Sequence, residues 1–112
     1  MCHLEKLYQQ ITELTQDVDK LNQKQQFEDA VALLELRLSS LKTLSIEIKS
    51  YSKDSDEVKR YIRFLQKIQL DDQSQITIID AEKSIALTDA KKQAKINSAV
   101  NAYKKVKGYS PI

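Results

Sequence analysis

The chain has 112 residues, a length that suits one small domain, and it contains one Gly, one Pro and no Trp. Because strands joined by tight turns need Gly, Asn-Gly or Pro at those turns, a chain whose only Gly and Pro are Gly108 and Pro111 is not expected to form a β fold. The net charge of +2 is uneven: residues 91–112 carry six lysines and no acidic residue, whereas residues 1–50 and 51–90 each carry a net charge of −2.

The sequence shows no membrane or export signal. No apolar run approaches the roughly 18 residues that a membrane-spanning helix needs. The N-terminal Met-Cys-His-Leu-Glu lacks the basic start and apolar stretch of a secretory signal, and a single cysteine cannot form an internal disulfide. We therefore predict a cytoplasmic protein that does not bind membranes.

The first two predicted helices cover about residues 3–23 and 26–49. In the first helix, apolar residues recur at alternating spacings of three and four, which places them on one face: Leu4, Leu7, Ile11, Leu14, Val18 and Leu21. Residues 22–25 are polar and predict a turn. The second helix repeats the pattern with Phe27, Val31, Leu34, Leu38, Leu41 and Ile48. Leu33, Leu36 and Ile46 fall off that face, so this helix is apolar on more than one side.

The third predicted helix covers about residues 56–90. Ser55 or Asp56 can cap its first turn, because a short side-chain oxygen satisfies free amide groups there. One apolar stripe contains Tyr61, Leu65, Ile68, Ile76, Ile79, Ala86 and Ala90. A second stripe lies on roughly the opposite side and contains Leu70, Ile78, Ala81 and Ile85. Since a helix in a small bundle hides only one face, the second stripe predicts a surface for another partner.

Residues 91–107 predict a basic C-terminal helix, followed by a loose tail at 108–112. Its apolar line is flanked by lysines and contains Ile96, Val100, Tyr103 and Val106. Thr88 or Asp89 can cap the helix and Gly108 can end it, although an unbroken continuation of the third helix is equally open. The predicted fold is a single all-α domain: an antiparallel bundle of three long helices plus a short C-terminal amphipathic helix, small enough to favour a homodimer.

The sequence offers no catalytic or metal-binding constellation. Cys2 and His3 are the only Cys and His, so no Cys-His or Ser-His-acid arrangement has its supporting residues. Asp71 and Asp72 are adjacent on a helix and point about 100° apart, so they do not converge on one site. We therefore predict no enzymatic activity, no metal and no cofactor. Asp72 falls within the first apolar stripe and needs water or a partner there, since a buried unpaired charge is costly.

The lysine-rich end does not by itself predict nucleic-acid binding. It contains no Arg, and the rest of the chain is net negative and would repel phosphate. We expect the lysines to pack onto the body of the protein or onto an acidic partner protein, in a contact that salt weakens.

Three segments share their order and spacing with a known helical family. Residues 24–37 open the second helix with an aromatic residue after a polar turn, and residues 98–108 place an Ala-Tyr pair shortly before a Gly. Between them, residues 70–73 read Leu-Asp-Asp-Gln, close to a Leu-Asp-Asn-acid segment. Together these segments resemble the FliT-type flagellar export chaperones over nearly the whole chain. The chain departs from that pattern in having Phe27 where Trp is common, no Gly before the tail, and an unusually basic tail.

The resemblance implies a helical bundle that binds the C-terminal region of the flagellar filament cap protein before export. It also implies contact with the export ATPase complex and, in some relatives, with the flagellar master transcription regulator. In that family the C-terminal helix can fold back and cover part of the binding surface.

These arguments give a hypothesis for the binding site. The predicted partner-binding residues are Leu70, Asp71, Ile78, Ala81 and Ile85. The predicted regulatory tail, which would compete with the client for that surface, contains Ile96, Val100, Tyr103 and Val106. The alternatives are a self-associating coiled-coil adaptor or regulator, and a chaperone for another secretion substrate.

Overall fold

The computed structural model describes residues 3–85 and 89–105, without the side chains of 83–85. Across these residues the chain is all-helical, which confirms the predicted all-α class. The helices are α1 (His3–Gln23), α2 (Phe27–Ile48), α3 (Asp56–Ile85) and α4 (Ala90–Lys104). One unbroken helix from residue 56 to the C-terminal end is not formed, because Asp89 is extended, with a φ of −101° and a ψ of 92°, and caps a separate helix that begins at Ala90.

The turn between α1 and α2 is closed by two backbone hydrogen bonds. The N–H of Gln25 donates to the carbonyl of Asn22 at 3.0 Å, and the N–H of Gln26 donates to the carbonyl of Leu21 at 2.9 Å. This pair of bonds is the Schellman pattern, which satisfies carbonyl groups at the end of a helix. Gln25 has a φ of 58°, a left-handed conformation that usually belongs to Gly. The turn is consequently strained at Gln25.

Side-chain caps begin the last two helices. The Ser55 Oγ accepts a hydrogen bond from the Val58 N–H at 3.3 Å at the start of α3. The Asp89 carboxylate accepts from the Lys92 N–H at 3.1 Å at the start of α4. Each cap occupies an amide that has no acceptor within its own helix. The Asp89 cap fixes the point at which the chain starts its fourth helix.

The core consists of two apolar clusters. The first joins the start of α1, the end of α2 and the start of α3, and it contains Leu4, Leu7, Tyr8, Ile11, Leu41, Leu44, Ile48, Leu65 and Ile68. The second joins the end of α1, the start of α2, the later part of α3 and α4, and it contains Val18, Phe27, Ala30, Leu34, Ile79, Ile96, Ala99, Val100, Ala102 and Tyr103. The start of α1 lies beside the end of α2 in the first cluster, and the end of α1 lies beside the start of α2 in the second. These two helices therefore run in opposite directions.

The fourth helix completes the second cluster. It packs mainly against α2 and α3, and Tyr103 also contacts Asn22 of α1. Ile96 and Ala99 are fully buried by this packing. The molecule measures 52 × 26 × 16 Å along its principal axes. Among the helices in the described part of the chain, none is long and apolar enough to cross a lipid bilayer.

Candidate protein-binding site

A polar layer separates the two apolar clusters. Arg37 of α2 is 0% exposed, and its guanidinium donates to Asp72 of α3 through Nη1–Oδ1 at 2.9 Å and Nη2–Oδ2 at 2.7 Å. Nη1 also donates to the Thr15 Oγ1 of α1 at 3.3 Å. Bidentate pairing of this kind is strong and directional. Three helices are thus held in one register by a single guanidinium.

The sequence places Arg37 inside the core because of its spacing. The buried apolar residues of α2 recur at intervals of three and four. Arg37 continues these intervals in the gap between Leu34 and Leu41, where Leu38, which also fits them, is only half-buried. Burial raises the pKa of Asp72, and the hydrogen bonds and charge of Arg37 oppose that rise. The partner that Asp72 needs is therefore Arg37. This pair was not identified from the sequence. The signal for it was a single basic residue, Arg37, among the buried positions of α2 and a single acidic residue, Asp72, in the apolar stripe of α3.

Tyr103 ties α4 to this layer. Its hydroxyl accepts a hydrogen bond from the Asn22 Nδ2 at 2.7 Å, and the same Nδ2 lies 3.2 Å from the Gln75 Oε1. The Arg37 guanidinium carbon lies 5.7 Å from the centroid of the Tyr103 ring, within range of a cation–π interaction. Tyr103 is only 2% exposed, and this burial raises the pKa of its hydroxyl. All four helices contribute to one connected polar network.

A pair of carboxyl groups lies beside the layer, between α1 and α3. Burial, the charge of Asp71 and a hydrogen bond to Asp71 raise the pKa of Asp19 to about 7. Two carboxylates this close cannot both ionise easily, so Asp19 retains its proton up to near neutral pH. Beyond the hydrogen bond between the two carboxyls, the buried Asp19 Oδ1 and Asp71 Oδ2 have no partner within the described residues. The pair is therefore held mainly by its own internal hydrogen bond.

A groove of about 730 Å³ runs between α1 and α3. One end is walled by Tyr8 and Phe64, whose ring centroids are 4.7 Å apart in an edge-to-face arrangement. The other end is lined by Asp19 and Asp71. The groove can accept a ligand that is apolar at one end and cationic at the other.

The predicted partner-binding residues occupy the outer part of α3. Leu70 is 67% exposed, Ile78 is 55% exposed, and Ala81 is exposed. Asp71 is half-buried and faces the groove, while the side chain of Ile85 lies outside the described residues. Because seven residues are close to two helical turns, Ile78 shares a face with Asp71. Ile78 therefore lies on the groove side of α3 but beyond the end that Asp71 marks, and neither Leu70 nor Ile78 lines the groove itself.

The described residues of the predicted regulatory tail pack elsewhere in the fold. Ile96, Val100 and Tyr103 are buried in the second cluster, where α3 contributes Ile79 of its first stripe. Leu70 and Ile78 remain exposed with α4 in place. The expected contact between tail and second stripe is thus wrong, because α4 fills the space between α2 and α3 that the first core stripe faces. Val106 lies outside the described residues.

Comparisons with known proteins give no match. No protein-family model matches the chain, and neither does any curated protein or solved structure.

Within residues 3–85 and 89–105, no three potential metal-ligating side chains come together.

Proposed function

We propose that this chain is a cytoplasmic export chaperone that binds the C-terminal region of the flagellar filament cap protein, and that its fold is an antiparallel bundle of three long helices closed by a short fourth helix. The observation that carries the proposal is the pair of large apolar side chains, Leu70 and Ile78, that are exposed on α3, the helix that forms one wall of an open groove. Exposed large apolar side chains on an element that lines a groove are typical of a protein-binding site. The resemblance to FliT-type chaperones supplies the identity of the client.

The shape of the surface favours a helical client segment. An amphipathic helix binds by laying its apolar face into a groove between two helices. Here α1 and α3 form the walls, and Leu70 and Ile78 extend the apolar surface along the outer side of α3. Contacts with the export ATPase complex and with the flagellar master regulator are further proposals that rest on the resemblance alone.

Calorimetric titration with the C-terminal segment of the cap protein tests the proposal. The Leu70→Gln/Ile78→Gln variant removes the exposed apolar side chains of α3, and we expect its affinity to fall at least about tenfold. The matched control is Leu36→Gln/Ile46→Gln on α2, whose side chains are 57% and 60% exposed. We expect the control to bind like the unmodified chain, with a negative heat-capacity change. No saturable binding, or equal losses in both variants, would contradict the proposal.

The fourth helix gives the proposed chaperone a second potential surface. Displacing α4 would expose Phe27, Leu34 and Ile79, which are now buried beneath it. We propose that α4 competes for this surface as an internal ligand at high effective concentration. A chain ending after Asp89 should then bind the client more tightly than the full chain. Unchanged affinity in a truncated chain that remains folded would contradict this competition.

Self-association is the second candidate function, and a feature of α2 favours it. Leu36 and Ile46 are exposed on the outer face of this helix, and three exposed small residues continue their spacing of three and four: Ala32, Ser39 and Thr43. Such a stripe can pair with a second copy as a coiled-coil seam. Light scattering over a dilution series should report a dimer that Leu36→Gln/Ile46→Gln abolishes. A monomer at every concentration would exclude this candidate.

A further inference from the structure

The groove between α1 and α3 contains buried polar groups that the fold itself does not use. At its aromatic end, Tyr8 is 5% exposed, yet its hydroxyl has no hydrogen-bond partner among the described residues. The Tyr8 ring is fixed by Phe64 and by Arg60, whose guanidinium carbon lies 4.2 Å from the ring centroid. Buried polar groups without partners are rare in native proteins, so these mark a place where a ligand can donate or accept.

At the other end, the charges of the groove favour a cation. Glu13, Asp19 and Asp71 line this end with a single basic side chain, Lys67. Farther along, Arg60 is already paired with Glu5. The Asp19 and Asp71 carboxyls both line the groove, so an ammonium or guanidinium group that replaces the proton between them can donate a hydrogen bond to each. Such a group would also remove the repulsion between the two carboxylates.

We propose that this groove binds an amphipathic helix whose apolar face carries one lysine or arginine, with that cation held between Asp19 and Asp71 and the apolar side chains against Tyr8 and Phe64. This inference rests on the proposed function, because it specifies the chemistry of the client segment. It extends that function by making the groove selective for a charged residue within an otherwise apolar face.

The dimensions of the groove set the spacing in the ligand. Phe64 and Asp71 are seven residues apart on α3, about 10 Å along the helix, and Tyr8 and Asp19 are eleven residues apart on α1, about 16 Å. A helical ligand has the same rise per residue. The cation should therefore lie seven to eleven residues from the apolar anchor, on the same face.

Proton release gives the inference a distinctive signature. Asp19 is faced by Asp71 and Asp72 from α3, by Arg37 from α2 and by Tyr103 from α4. In the free protein the carboxyl pair holds a proton near neutral pH, and a bound cation favours the doubly ionised pair. Binding should release a proton below about pH 7, and affinity should rise as the pH increases toward 8.

The test uses synthetic peptides, so its outcome does not depend on the cap protein. The first is a capped amphipathic helix of roughly 18 residues with leucines along one face and a lysine seven residues from the first leucine. The second has norleucine in place of that lysine. Both are titrated into the full chain, into Asp19→Asn/Asp71→Asn, and into Asp17→Asn/Asp29→Asn, which removes two exposed acids that do not line the groove.

We expect the lysine peptide to bind the full chain about tenfold more tightly than the norleucine peptide. That advantage should disappear in Asp19→Asn/Asp71→Asn and persist in Asp17→Asn/Asp29→Asn. Titrations in buffers of different ionisation enthalpy should show proton release with the lysine peptide only. Thermal unfolding of Asp19→Asn/Asp71→Asn checks its folding, and we expect it to be at least as stable as the unmodified chain.

Three results would overturn the inference: no binding of either peptide, equal binding of the two peptides, or an advantage that survives in Asp19→Asn/Asp71→Asn. If the lysine peptide keeps its advantage while the cap protein segment does not bind, the groove chemistry stands and the assignment of the client fails. The two proposals can therefore fail separately.

Discussion

Two ion pairs connect α3 to its neighbours with the same chemistry in opposite surroundings. Arg37 and Asp72 join α2 to α3 with side chains that are 0% and 7% exposed, whereas Arg60 and Glu5 join α3 to α1 with side chains that are 47% and 48% exposed. Each guanidinium makes two hydrogen bonds to its carboxylate. The buried pair has no water to replace a lost partner, while the exposed pair does. Burial, and not pairing geometry, therefore decides which of the two ion pairs fixes the fold.

Breaking the buried pair should have the largest effect on stability. Asp72→Ala leaves the Arg37 charge buried without its anion, and we expect the free energy of unfolding to fall by about 3–5 kcal/mol. Urea unfolding followed by circular dichroism measures the change. A loss below about 1 kcal/mol would show that Arg37 reaches water or another acceptor.

Replacing both partners of the buried pair separates the cost of an unpaired charge from the cost of altered packing. In Arg37→Met/Asp72→Leu no charge remains in the layer, so we expect most of the stability lost in Asp72→Ala to return. The same unfolding experiment reports the recovery. If the double variant is as unstable as Asp72→Ala, packing at these positions matters more than the unpaired charge does.

The carboxyl pair beside the layer should make stability depend on pH. The pKa of Asp19 is raised from 3.8 to about 7, so the folded state binds its proton more tightly than the unfolded state. The resulting stability is fully present below about pH 4 and is lost as the pH rises through 7. Because Asn does not ionise, we expect Asp19→Asn to lose less unfolding free energy than the unmodified chain as the pH rises. The difference should be about 1–2 kcal/mol, a figure that already allows for solvent screening. Unfolding at about pH 5 and pH 8 measures it, and parallel curves for the two proteins would contradict the raised pKa of Asp19.

A smaller gain is expected at the turn between α1 and α2. Gln25 adopts a positive φ that a residue with a Cβ disfavours, so Gln25→Gly should stabilise the protein by about 0.5–1 kcal/mol. Its side-chain hydrogen bond to Glu82, at 3.0 Å, is exposed and contributes little. Gln25→Ala removes the same side chain without relieving the backbone and is the matched control. Equal midpoints for the two variants would exclude backbone strain as the cause.

The exposed pair should show the smallest effect. Hydrogen bonding and the charge of Arg60 lower the pKa of Glu5, and burial only partly opposes this. Because both side chains are about half exposed, we expect Glu5→Gln to leave the unfolding midpoint within experimental error at moderate salt. A clear destabilisation that persists in high salt would show that the exposed pair also contributes to stability, as the buried pair does.

The all-helical class was predictable because apolar residues recur at intervals of three and four along the chain. The same rule treats polar residues as solvent-facing, so it missed Arg37, Thr15 and Asn22, which are buried. Their burial depends on partners from other helices, and no single helix reveals those partners. Asp72 was recognised as misplaced because it interrupts an apolar stripe, yet only the packing identified its counter-ion.

The exposed apolar residues of α3 were predictable to a similar extent. The second stripe indicated that Leu70 and Ile78 would face away from the bundle core and need another partner, for which the tail was the candidate, and both are exposed. Periodicity also identified the apolar face of the C-terminal helix, but not the surface that this face covers. The pairing of Asp19 with Asp71 could not be foreseen, because it depends on how closely α1 approaches α3.

The contact between Asn22 and Tyr103 joins residues 81 positions apart and therefore has a consequence for biosynthesis. A ribosome makes α1, α2 and α3 well before α4, so the emerging chain has Phe27, Leu34 and Ile79 uncovered for that interval. Closure of so long a chain segment is slow compared with forming a helical hairpin. During translation the nascent protein thus exposes an apolar surface that can associate with other chains. This exposure ends when α4 is complete and packs onto that surface.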